Sequence, residues 1–222
     1  MATPSRPAPD RRTSTIQKRA SLLPKPSSIV LDPSVLIAQH AQLTGTHPIT
    51  VGPSTVLHPH CKISSTLAPV VLGEGVIVYE RAKVGVGMGD GVDMDSRRSS
   101  VASRASVRDS MRGEGTVLGR HVVIETHAVI EAAEVGEGTV VEAGAYLGRG
   151  CVVGKFCTIS AFSAVPANAH LPDYTVVYSG SERRLDRTLQ TRPEVQDMKT
   201  SVHVKQLETF RKLLPNNVAK WA

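Results

Sequence analysis

Aromatic residues are scarce, with Phe, Tyr and Trp making up 4% of the 222 residues. That is too few to build the stacking platforms on which single-stranded nucleic acids lie. Positive charge is also missing where a nucleic-acid binder would need it. The formal net charge is +6, yet residues 1–28 carry six basic and one acidic side chain, and residues 181–222 carry nine and five. Residues 85–116 balance at five and five, which leaves the body with six basic against nine acidic groups. An acidic body does not grip a phosphate backbone. No apolar run approaches the roughly 18 residues of a membrane span, and the N-terminus lacks a secretory apolar core. Three cysteines, an odd number without CxxC spacing, make neither a disulfide framework nor a zinc site. The sequence therefore predicts a soluble, intracellular chain of one domain with tails. No nucleic-acid partner, membrane insertion or cofactor is expected.

What is present is a period. Aliphatic residues recur every sixth position at Val135, Val141, Leu147, Val153, Ile159, Val165, Leu171 and Val177. With Ile, Leu and Val at about a quarter of the chain, such a run has odds of about one in 65,000 per starting point. The same step links Leu31, Ile37 and Leu43, then Val51, Leu57 and Ile63, then Leu72, Val78 and Val84, then Leu118, Ile124 and Ile130. Six fits neither the 3.6 of a helix nor the 2.0 of a flat sheet. It fits short strands and tight turns wound as a solenoid. The irregular steps, at Leu43–Val51, Ile63–Leu72, Val84–Leu118 and Ile130–Val135, each follow a third hexad. Each coil thus has three sides, and every insertion leaves from one corner. The expected fold is an all-β solenoid, a triangular parallel β-helix of about six to seven coils with a C-terminal α-helix.

Two residues before each aliphatic position the chain prefers small or β-branched residues, among them Ala41, Thr55, Val76, Ala82, Val122, Ala128, Thr139, Ala145, Ser163 and Ala169. Strand alternation turns both positions inward. Cys61, Cys151 and Cys157 share the small position and read as core. Gly52, Gly73, Gly119, Gly136 and Gly154 follow the aliphatic residue on the first side. There the corner is expected to need a backbone conformation that glycine reaches freely.

The ends read differently. Residues 1–28, rich in Pro with scattered Arg, Lys and Ser, form an expected disordered basic tail, with a partner-binding arm or a presequence as the alternatives. The solenoid is expected over 29–180, with an insertion loop at 85–116. Arg97-Arg98-Ser99-Ser100 has the basic-then-serine form that basophilic kinases favour, which makes Ser99 and Ser100 candidate phosphorylation sites. Residues 181–222 are expected to hold a linker and a helix. Val195, Met198 and Val202, then Leu207, Phe210 and Leu214, make its apolar stripe, and Pro215 ends it. Such a helix packs along the solenoid or covers an open end.

Hexads such as Val51-Gly-Pro-Ser-Thr-Val-Leu57 and Leu72-Gly-Glu-Gly-Val-Ile77 resemble the left-handed β-helix, hexapeptide-repeat superfamily. That superfamily includes acyltransferases and γ-class carbonic anhydrases. Four stretches are more specific: Val51–Pro59, Val141–Gly148, Leu171–Tyr178 with Arg183-Arg184 after it, and Phe210–Asn216. They resemble the dynactin subunit 6 family of pointed-end subunits over roughly residues 29–216. The resemblance implies a left-handed β-helix that acts as a non-catalytic assembly subunit in the cytoplasm and cytoskeleton. It implies pairing with dynactin subunit 5, near dynactin subunit 4 and actin-related protein 11. It also implies a role in dynein-driven, microtubule-based transport of cargo.

Enzymatic alternatives meet poor matches. A γ-carbonic anhydrase-like chain would have an Arg-Gly-Asp-like turn where Thr44-Gly45-Thr46 stands, and a glutamine where Leu57-His58-Pro59 stands. His121 and His127 fall at one phase on successive sides, a full side apart, so they do not converge on a zinc. His127 is the residue to nominate as the general base of an acyltransferase-like homotrimer, although nothing independent selects it. The expectation is a chain that is not an enzyme. A separate pattern places His40, His60, Arg81 and His127 at one phase on the second side of four successive coils. They are expected to form an outward ladder, a candidate contact strip for an acidic partner that strengthens as the histidines gain charge.

Overall fold

The computed structural model describes residues 26–87 and 115–221. Ser99 and Ser100, most of the expected tail and most of the insertion lie outside them. Within them the chain winds into a prism with three parallel walls. The first wall stacks seven strands, from Ile29–Leu31 through Val70–Leu72 and Thr116–Leu118 to His170–Leu171. The second starts at Leu36–Ile37 and ends at Thr175–Tyr178, on which the chain folds back antiparallel as Glu182–Leu185. The third holds six strands, from Gln42–Gly45 to Ala164–Val165.

Most strands are two residues long, too short to stand as hairpins. Each persists because it is paired on both sides and turns one aliphatic side chain into a shared interior. Ile37, Leu57, Ile63, Ile124, Ile130, Leu147 and Ile159 are fully buried, and the small positions Ala41, Thr55, Ala82, Ala128, Thr139 and Ala145 interleave with them. All three cysteines are free and buried. Burial, with Glu80 nearby, pushes the Cys61 thiol up to about 12, and burial likewise lifts Cys151 to about 12. These are protonated core groups, not nucleophiles.

The five first-side glycines have a different reason from the expected one. The left-handed residues sit two positions later, at Ser54, Gly75, His121, Gly138 and Phe156, with φ between 51° and 67°. Gly52, Gly73, Gly119, Gly136 and Gly154 instead stack backbone on backbone. A methyl group on Gly136 would lie 2.5 Å from the carbonyl carbon of Gly154, and one on Gly52 would lie 2.8 Å from that of Gly73. Close approach, not φ, selects glycine there.

After a short helix α1 (Arg187–Thr191), whose N-cap Asp186 accepts from the Thr188 and Leu189 amides, helix α2 (Pro193–Leu213) runs back along the second wall. Its proline at the first turn replaces an amide that would have no partner. Leu207 wedges among Leu36, Val56 and Ile77, with Phe210 and Leu214 beside it. The expected stripe holds only in this C-terminal half, for Met198 and Val202 are 67% and 60% exposed. Polar groups take the inward places further up. His203 meets the Gly75 carbonyl at 2.6 Å, and Gln196 donates to the Leu189 carbonyl at 2.5 Å. Beyond α2, the Asn216 amide accepts from the Ile37 N–H at 3.2 Å and donates to the Val35 carbonyl at 3.1 Å. Val218 and Trp221 then pack against the interior. The C-terminal segment thus lines one wall and closes the first coil.

Candidate functional site

The corner from the third wall to the first, where every insertion leaves, carries a groove of about 930 Å³. Its apolar floor comes from Leu67, Ala68, Val86, Val117, Ala133 and Val152, and its polar rim from Glu131, Glu134, Arg149, Asn168 and His170. Glu131 is 8% exposed, and its carboxylate accepts the Tyr146 hydroxyl at 2.9 Å. The groove therefore combines a carboxylate fixed in place, an exposed guanidinium and an exposed imidazole. None of these polar residues was singled out in the sequence. They come from three coils and sit outside the hexad phases that marked the core. The insertions leaving from this one corner are the one sequence signal that coincides with it, and they mark the corner without its residues.

The expected ladder lies on another corner, between the second and third walls. His40, His60, Arg81 and His127 all adopt left-handed φ, at 62°, 61°, 58° and 61°, and all are exposed. The His40 and His60 rings stack with centroids 5.0 Å apart and planes 5° from parallel. The strip and the groove are separate sites. His121 sits at a third corner, against His203 of α2, with ring centroids 5.2 Å apart, so it does not join His127. Among the described residues no three His, Cys, Asp or Glu side chains converge in a group that could hold a metal.

His203 is the titratable group on which α2 rests. Burial lowers its pKa from the ordinary 6.5. The Gly75 carbonyl opposes that shift, and His121 and Lys199 add to it. The folded form keeps this imidazole neutral, so the unfolded chain takes up the proton first as pH falls through 6.5. Its contribution is complete above pH 6.5 and is lost as pH falls toward the lower folded value. Urea melts between pH 8 and 5 should show wild type losing more stability below pH 6.5 than His203→Gln, which retains a donor for the Gly75 carbonyl. Parallel profiles would remove His203 as the cause.

No family model and no curated protein matches this chain. Solved structures do. A hexapeptide transferase family protein from Anaplasma phagocytophilum superposes with a TM-score of 0.64 at 14% identity, covering 86% of this chain and 98% of that one. A putative acetyltransferase from Bacillus cereus aligns over 85% and 96% at 16% identity, with a TM-score of 0.46. A UDP-N-acetylglucosamine acyltransferase from Francisella novicida aligns over 69% and 54% at 18%, also with a TM-score of 0.46. The expectation that the chain is not an enzyme is corrected by the fold it shares with the Anaplasma phagocytophilum protein, which belongs to a transferase family. It rested on the lack of a convergent reactive cluster in the sequence. That architecture is compatible with catalysis, and its insertion corner carries an acid, an imidazole and a guanidinium in one groove. The chain has the left-handed β-helix fold of the hexapeptide-repeat transferases.

Proposed function

We propose that this chain is an assembly subunit of the dynactin pointed-end complex, akin to dynactin subunit 6, and that its first wall, with exposed valines and no helix laid on it among the described residues, docks a neighbouring β-helix. The observation that carries the reading is a contrast between two walls. On the second, the outward column is Leu36, Val56, Ile77, Val123, Val140, Thr158 and Val176. Leu36, Val56, Ile77 and Val123 of this column pack with Leu207, Phe210 and Leu214 of the C-terminal segment. On the first, the outward column is Val30, Thr50, Val71, Val117, Glu134, Val152 and His170. Four of its seven residues are valines, and of these Val30, Val71 and Val117 are 58%, 38% and 42% exposed. A flat row of β-branched groups facing water is the composition of an interface core.

The stretches that resemble dynactin subunit 6 also support the reading, because they meet in space. Phe210 of the last stretch sets its ring edge on His58 of the first at 4.7 Å, and Asn216 of the last closes the first coil. In this reading dynactin subunit 5 takes the first wall, with dynactin subunit 4 and actin-related protein 11 nearby. The complex works in the cytoplasm, on the cytoskeleton, linking cargo to dynein.

A second reading, an acyltransferase-like homotrimer, is favoured by the groove. His170 would act there as general base toward a hydroxyl or amine acceptor, and Arg149 would meet an anionic donor group. One preparation tests both. The chain co-expressed with dynactin subunit 5 should copurify with it. Val71→Glu with Val117→Lys should weaken the pair at least tenfold with little change in the Tm of the isolated chain, since the new charges are opposite in sign and stand opposite one another in the ladder, next to Glu134. A pair unaffected by these changes, or a homotrimer formed in its place, would overturn the assembly reading. Release of CoA from acetyl-CoA that is lost in His170→Ala would establish the second.

A further inference from the structure

The corner strip carries an inference that does not depend on which reading of the first wall is correct. We propose that His40, His60, Arg81 and His127, with Lys62 and Lys83 beside them, form a docking strip for an acidic α-helix of a partner protein. Lys62 and Lys83 point outward from the third wall, directly opposite one another across the parallel ladder. They follow the corner residues His60 and Arg81 by two positions, so this pair of lysines, between Gln42 and Val129 in its own column, flanks the middle of the strip. Glu80, the acid next to Arg81, accepts from His58 Nδ1 at 3.0 Å. This engages it toward the second wall, not over the strip. The stacked His40 and His60 rings present ring N–H groups at the spacing of adjacent coils.

Spacing decides the shape of the partner. Stacked strands lie about 4.8 Å apart, so the strip presents a donor every 4.8 Å or so. An extended chain shows side chains on one face about every 6.8 Å and drifts out of step within two coils. On an α-helix, residues three and four apart rise about 4.5 and 6.0 Å. Carboxylates at i, i+3, i+7 and i+10 therefore average about 5.0 Å and keep register across four coils. The strip spans three such steps, about 14 Å, or roughly ten helical residues. The third wall has no helix of its own to occupy it: among the described residues the long helix lies on the second wall.

The probe is a stapled, fluorescein-labelled alanine-based helix of 14 residues with Glu at positions 1, 4, 8 and 11, compared with its Gln counterpart by fluorescence anisotropy. The Glu helix should bind the full-length chain at 50 mM salt at least tenfold more tightly than the Gln helix, and at least tenfold more weakly at 300 mM salt. Lys62→Glu with Arg81→Glu should reduce binding at least tenfold, and His40→Ala with His60→Ala at least threefold. All four side chains are largely solvent-facing, so unchanged Tm values will show that the variants fold. Equal binding of the two helices, or no effect of the charge reversal, would overturn the proposal. So would a 14-nucleotide oligouridine that displaces the Glu helix at lower concentration than unlabelled helix does, since it would make the strip a nucleic-acid site.

Discussion

Gly136→Ala should lower the melting temperature by about 6–12 °C, corresponding to about 3 kcal/mol for a chain of this size. The added methyl group would meet the Gly154 carbonyl carbon at 2.5 Å, and the Gly154 oxygen and Lys155 nitrogen at 2.6 Å. All three are backbone atoms, so no side chain can swing aside. Relief requires adjacent coils to separate, which lengthens the ladder bonds above and below, among them the Gly136 amide to the Val153 carbonyl at 2.8 Å. In a solenoid stability resides largely in the contacts between neighbouring repeats, and the damage falls on one of these. Gly180→Ala is the control. Gly180 has φ +89°, and a methyl group there would meet nothing within 4 Å. That change carries only conformational strain, on the order of 1–2 kcal/mol. Thermal melts in which Gly180→Ala is the worse of the two would reverse the assignment and return these glycines to a conformational role.

The difference between these glycines shows what one chain could and could not disclose. Six-residue spacing is a one-dimensional signal, and it specified the walls, the inward positions and the insertion corner, because each inward side chain sees the same cross-section. Leu43, Ile63, Val84 and Ile130 are buried where the period put them. The stacking of Gly136 on Gly154 is a contact between residues 18 apart, and its closeness is invisible until the coils are superposed. The helix failed halfway for a related reason. Met198 and Val202 look like core, but the wall beside them offers the Gly75 carbonyl, which His203 satisfies better than an aliphatic group would. The ladder of His40, His60, Arg81 and His127 was legible because it shares one phase. The groove was not, since Glu131, Arg149 and His170 share none. A site assembled across coils leaves no period, and chemistry placed there escapes any reading that looks for repeats.

Leu207→Ala should release α2 while leaving the prism wound. Leu207 is 5% exposed and packs against Leu36, Val56 and Ile77 from three successive coils. Truncating a buried leucine costs about 2–5 kcal/mol, and here the loss falls on the interface between helix and wall. The helix does not hold itself. Much of its buried face is polar, and an isolated helix of this kind is marginal in water. Its remaining anchors are mostly polar: His203 meets the Gly75 carbonyl, and Gln206 donates to the Tyr79 hydroxyl. Arg211 donates to the Ser54 hydroxyl at 2.7 Å, the Phe210 ring meets His58 and Tyr79, and Asn216 binds the first coil. Loss of about 3 kcal/mol should speed amide exchange in α2 by about two orders of magnitude, with exchange in the central strands near Ile124 unchanged. Trp221, the chain's only tryptophan, packs against the interior at the first coil, so its emission should shift to the red as the tail frees. The uncovered second wall would then present Leu36, Val56 and Ile77 to solvent beside the exposed valines of the first wall, and the variant should self-associate with rising concentration. Equal acceleration in the helix and the central strands would show that the two melt as one unit, and that the helix is part of the solenoid's cooperative core and not a cover laid on it.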